Sequence, residues 1–115
     1  MEIIHTKSFD SSLKKLKRHH LEYDNLFKIL DIIENVDDFK QLCNLPQVSM
    51  YGFERLKHDK NDFYSFNPKK TGGKIRLIVK PKEENVVEIF LIDISFDHYL
   101  DFNPKRVIYY EWKIK

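Results

Sequence analysis

The spacing of apolar positions divides this chain into an early part with a helical period and a late part with a period of two. The opening EIIHTKSF is rich in β-branched and aromatic residues and predicts a short strand. Asp10, Ser11 and Ser12 then offer N-cap oxygens ahead of LKKLKRHHLEY, where Leu13, Leu16 and His20 recur at helical spacing beneath Lys14, Lys15, Lys17 and Arg18. Asp24 can cap a second, longer helix whose stripe is Leu26, Ile29, Leu30, Ile33 and Val36 and which ends before Pro46. Two consecutive helices with so tight a link predict an antiparallel helical hairpin.

From Tyr51 onward the period changes. FYSFNPKKTGGKIRLIVKPKEENVVEIFLIDI reads as three strands joined by two hairpins, the first turning at Gly72-Gly73, where positive φ is allowed, and the second at PKEEN. In KIRLIVK, alternation puts Ile75, Leu77 and Val79 on one face and Lys74, Arg76, Ile78 and Lys80 on the other. Val86 to Ile94 is apolar at nearly every position, as in a central strand covered on both faces. RVIYYEWKIK predicts a terminal strand. The fold class is therefore α+β: a strand, a helical hairpin, then a curved antiparallel β meander, in a single domain over residues 1–115. With helices on one side, the sheet's other face, where Arg76 lies, is left for function.

Composition narrows the class. A content of 42% hydrophobic and 14% aromatic residues fits a folded globule rather than a disordered chain. Cys43 is the only cysteine, which excludes a disulfide framework and a multi-cysteine zinc site and fits a reducing cytoplasm. MEIIHTKSFD lacks the pattern of a signal peptide, and no apolar run reaches the ~18 residues of a membrane span, so a soluble, unprocessed protein is expected.

The net charge of +2 averages two unlike regions. Between Glu22 and Phe39, six acidic residues stand against Lys28. Between Phe53 and Lys82, Arg55, Lys57, Lys60, Lys69, Lys70, Lys74, Arg76, Lys80 and Lys82 outweigh Glu54, Asp59 and Asp62. That asymmetry fits a surface for a polyanion, and it fits equally a pair of solvated hairpins. No metal or other cofactor is expected: His19 and His20 would point about 100° apart on a helix, and Asp93, Asp97 and Asp101 have no histidine pattern beside them.

The segment ERLKHDKNDFYSF, then KIRLIV, then an apolar strand running on into His98-Tyr99, resembles the RelE/ParE toxin superfamily, and within it the YoeB-like branch of RelE-type messenger-RNA interferases. The resemblance extends from residue 1 to about residue 102. It implies a ribosome-dependent endoribonuclease that cuts messenger RNA in the decoding site, against 16S ribosomal RNA, and is neutralised by a co-encoded antitoxin. It also implies roles: Glu54 as general base, Arg76 as phosphate-binding cation, His98 as general acid, and Tyr99 as a companion in leaving-group or base contacts. Lys57 and His58 fall on the family's Leu-Lys-His step. Where relatives carry arginines or lysines after the strand aromatic, this chain has Ser65, Phe66 and Asn67, so Lys69 or Lys70 would have to replace those phosphate contacts. Lys74 extends the basic set.

These residue types suit the chemistry. Metal-free RNA cleavage needs a base for the 2′-hydroxyl proton, an acid for the departing 5′-oxygen and a cation for the charge gathering on phosphorus. A carboxylate, an imidazole and a guanidinium meet those needs. Tyr99, Tyr64 or Phe66 would stack on a splayed base. The alternative on the same fold is a non-catalytic module: a ParE-like inhibitor of DNA gyrase, or a decayed toxin that only binds its antitoxin.

Overall fold

A computed structural model describes residues 1–57, 60, 62–82 and 85–109. Strand β5 (Asn85–Ser95) is the axis of the sheet, with β1 (Glu2–His5) parallel on one side and β4 (Arg76–Lys82) antiparallel on the other. Outward from β4 follow β3 (Tyr64–Phe66) and β2 (Glu54–Arg55), giving the order β1-β5-β4-β3-β2. The class is α+β, as expected. The two-residue β2 adds a fourth strand to the antiparallel ribbon, where the residue pattern indicated three.

Four helices lie against one face of this sheet: α1 (Lys7–Leu16), α2 (His20–Glu34), α3 (Phe39–Asn44) and α4 (Pro46–Met50). Phe9, Leu16, Leu26, Ile29, Ile33 and Leu42 from the helices meet Phe66, Leu77, Val79, Ile89, Leu91 and Ile94 from the strands. On the opposite face a smaller cluster joins Leu56, Phe63, Ile78, Ile92 and Phe102. The middle of that face is thus covered, and only its end toward Glu54 and Arg76 remains for function.

Several boundaries differ from expectation. The first helix starts three residues ahead of Asp10, because Thr6 caps it: its hydroxyl accepts from Phe9 N–H (3.0 Å) and donates to the Ile92 carbonyl (2.6 Å). One side chain thereby ends β1, starts α1 and ties both to β5. Thr6→Ala should destabilise the protein by about 1–3 kcal/mol, the worth of a cap plus a buried acceptor left unpaired. A urea midpoint within error of wild type would refute that assignment. The second helix starts at His20, which is exposed, rather than after Asp24. It does not run toward Pro46, because Asp38 takes the cap position of a new helix, accepting from Gln41 N–H at 2.8 Å.

The second hairpin is tighter than PKEEN: Lys82 already pairs with Asn85, and residues 83 and 84 lie outside the described set. No strand is found in the described part of RVIYYEWKIK, and residues 110–115 lie outside it. Pro104–Arg106 form a 3-10 turn, and the chain then returns to the start of α1, where Lys7 and Ser8 N–H donate to the Ile108 carbonyl (2.9 and 3.2 Å). Among the described residues, no helix is long and apolar enough to cross a membrane.

Candidate functional site

Strand register assembles the site. Directly paired residues in a sheet share a face. Glu54 pairs with Ser65 and Ser65 with Ile78, while Arg76, two residues before Ile78, pairs with Ser95. Ser95 owes its face to a bulge in β5: Ile78 pairs with Asp93 but Val79 with Leu91, so Ile92 is an extra residue that inverts the alternation beyond it. Without that bulge, Ser95 would face the helices.

Just past β5 the chain turns back on itself. Leu100 N–H donates to the Asp97 carbonyl (3.0 Å), and both central residues have positive φ, 57° at His98 and 75° at Tyr99. Two successive non-glycine residues in the left-handed region cost of order 1–2 kcal/mol each, so the surrounding contacts must impose the conformation. His98 N–H is anchored to the Lys74 carbonyl at 2.8 Å.

The turn delivers His98 and Tyr99 onto the Glu54–Arg76 end of the face. Arg76 Nη2 lies 3.1 Å from His98 Nε2. A guanidinium can only donate, so Nε2 accepts and a neutral His98 carries its proton on Nδ1. Tyr99 donates to Glu54 Oε1 (2.9 Å), and Ser65 Oγ lies 2.7 Å from the phenol oxygen. Since the single phenolic hydrogen goes to the carboxylate, Ser65 is the donor to Tyr99. Burial, and then the Glu54 carboxylate, push the Tyr99 phenol above its ordinary range, which keeps it a neutral donor.

Arg76 is the least ordinary member. It is 8% exposed, and among the described residues its guanidinium bonds to the Gly73 and Ile75 carbonyls and His98, with its carbon 5.9 Å from the Tyr99 ring centre. Among the described residues it has no carboxylate partner. A buried cation without a counter-ion is costly, and an anion arriving there would offset that cost. Beside it opens a cleft of about 340 Å³, lined by Glu54, Lys57, Lys60, His98, Tyr99 and Leu100 among others.

No protein-family model matches the sequence, and no curated protein matches it. Solved structures do. YafQ from E. coli strain BL21(DE3) is similar with a TM-score of 0.63 at 15% identity, over 88% of this chain and 98% of that one. A YoeB/ParE toxin from Agrobacterium tumefaciens gives 0.57 at 13%, over 84% and 98%. The E. coli DinJ-YafQ complex gives 0.61 at 16%, over 89% and 98%. The fold is that of the RelE/ParE toxins.

On this RelE/ParE fold, Glu54, Arg76, His98 and Tyr99 form one cluster, with Lys57 at the mouth of its cleft. Lys74 stands beside it, 3.7 Å from Asp97. His58 lies outside the described residues. Lys69 and Lys70 belong to the exposed turn after β3, which Asn67 braces through Gly72 O and Lys69 N–H. The Lys70 ammonium sits over the Tyr51 ring, away from the cluster.

Tyr64 is on the wrong face for stacking in the cleft. It pairs with Val79, stacks on Phe53 (centroids 5.5 Å apart, 10° between planes) and meets Phe39 edge-on. Phe66, on the same face, is fully buried and unable to meet a base. Period-two alternation in FYSF puts Ser65 opposite to both, and that alternation was the available sign that Ser65 joins the site. Lys60, whose ammonium donates to the Tyr99 carbonyl at 3.1 Å, is the other unanticipated member. Asp93, Asp97 and Asp101 each have their own partners, Ser12, Lys74 and Ser95, and among the described residues no three His, Cys, Asp or Glu come together as a metal cluster.

Proposed function

We propose that this protein is the toxin of a toxin–antitoxin pair and acts in the cytoplasm as a metal-independent endoribonuclease on ribosome-bound messenger RNA. The observation that carries the reading is Arg76, a buried guanidinium without a carboxylate partner among the described residues, in hydrogen-bond contact with His98. The scissile phosphate supplies the missing anion. Its oxygens take the guanidinium donors that now reach His98, which frees Nε2 to take up a proton from water and become the acid. Glu54 removes the 2′-hydroxyl proton, the 2′-oxygen bonds to phosphorus, and the phosphorus–5′-oxygen bond breaks as His98 protonates the leaving oxygen. The products are a 2′,3′-cyclic phosphate and a free 5′-hydroxyl. Tyr99, hydrogen-bonded to Glu54, fixes the direction of that carboxylate and offers a ring edge to the splayed base.

Lys57, Lys60 and Lys74 surround the cluster with positive charge suited to the RNA backbone, and Lys69 and Lys70 extend it at the turn. A co-encoded antitoxin would mask the same surface with acidic residues near Arg76 and Lys57; the DinJ-YafQ complex is a pairing of that kind on this fold. The test is primer-extension mapping of messenger RNA on programmed ribosomes, using protein treated with EDTA and desalted before it is added, and a parallel gyrase supercoiling assay. Discrete cleavage by the EDTA-treated protein is expected. Inhibition of gyrase without cleavage would assign the protein to the ParE-like class, and neither activity, with antitoxin binding retained, would make it a decayed toxin.

A further inference from the structure

The left-handed His98-Tyr99 turn is held by a short relay that the proposed chemistry does not use. Ser95, 2% exposed, lies at its centre. Its hydroxyl oxygen accepts from Tyr99 N–H (2.9 Å) and Asp97 N–H (3.3 Å), and its hydrogen goes to Asp101 Oδ1. The other carboxylate oxygen, Asp101 Oδ2, accepts from Phe96 N–H at 2.9 Å. A serine hydroxyl rotates freely unless its hydrogen is committed. The carboxylate commits it, and this turns the oxygen's lone pairs toward the backbone of the turn.

We propose that Asp101, acting through Ser95, is a positioning residue that holds His98 and Tyr99 in their left-handed conformation and so sets the His98–Arg76 and Tyr99–Glu54 contacts. Both contacts depend on this. Relaxing either residue to negative φ redirects its side chain, and the backbone bonds at Lys74 and Asp97 do not by themselves choose the sign of φ at Tyr99. Asp101 touches no group proposed to react; its effect passes through the Ser95 hydroxyl to the Tyr99 amide. The activity arm of this inference rests on the ribonuclease reading, whereas the geometric arm does not.

The test compares wild type with Asp101→Asn, Ser95→Ala and the double variant. Asp101→Asn keeps the side chain's shape at an exposed position but has one acceptor oxygen for two donors, Ser95 O–H and Phe96 N–H, so its NH2 must face one of them and the paired arrangement is lost; Ser95→Ala breaks the same relay one step later. Nitrogen NMR of the imidazoles reads the first arm. Wild type should show His98 with its proton on Nδ1, and each variant should lose that signature in favour of an averaged tautomer. In ribosomal cleavage, kcat should fall about 10- to 100-fold while KM changes less than ~2-fold, as expected for misplaced catalytic groups. The double variant should be no worse than the more damaging single one, because the two residues act in series.

Unchanged His98 signals, additive losses, or loss of the whole fold in both single variants would each overturn the proposal, the last because the relay would then be supporting the fold and not the turn. Absence of cleavage by wild type would refute the ribonuclease reading alone, and the imidazole signals would still decide this one.

Discussion

His98→Gln and Arg76→Ala should each reduce messenger-RNA cleavage by at least ~100-fold, since one transition-state donor is worth roughly 2.7 to 4 kcal/mol. The two should differ in binding. His98 meets Arg76 through Nε2 as an acceptor, so glutamine removes the group that carries the transferred proton and little ground-state attraction. Arg76→Ala removes a charge that would meet the phosphate directly, and ribosome affinity should fall with it, with a shallower dependence on salt. Quantifying cleavage bands and ribosome co-sedimentation for both variants at two ionic strengths separates these effects. Growth arrest that survives in both variants, accompanied by gyrase inhibition, would remove the nuclease assignment altogether.

Phe66→Ala should be the most damaging single change to the fold, lowering stability by about 3–5 kcal/mol. Phe66, the last residue of three-residue β3, is fully buried and packs 4.6 Å from the Phe53 ring. The short strand has few other apolar contacts to compensate. Tyr64→Ala, at a half-buried edge of the same aromatic group, should cost clearly less. Equilibrium urea unfolding of both variants measures the contrast, and equal losses would show that the ring cluster, rather than the buried anchor, carries the stability.

How far the chain could be read without coordinates depended on which physical signal each residue carried. Arg76 was legible because KIRLIVK alternates cleanly, so its face followed from Ile75, Leu77 and Val79. The helical stripe at Leu26, Ile29 and Ile33 was equally plain, and all three are fully buried. Thr6 was missed because a β-branched residue after EIIH looks like more strand, and only its partnership with Ile92 across the chain reveals a cap. Ser95 and Asp101 were hidden for a different reason. VVEIFLIDI is apolar on both faces, so no alternation marks the bulge at Ile92 that decides which way Ser95 points. Tyr64 was misplaced by residue type: an aromatic beside a basic turn suggests base stacking, yet strand parity sends it to the helices.

The parallel pairing of β1 with β5 also governs when this molecule can exist in finished form. Glu2 must wait for Glu88, and Thr6 for Ile92 at a separation of 86 residues, before the first strand finds its place. Closing so long a loop loses chain entropy that local contacts cannot restore early, which makes such topologies slow to fold. During synthesis, Glu54, Ser65 and Arg76 emerge while the strand that orders them is still being made, and His98 and Tyr99 come later still. The completed cluster therefore forms only after β5 and the His98-Tyr99 turn have been made, and shorter nascent chains carry no assembled version of it.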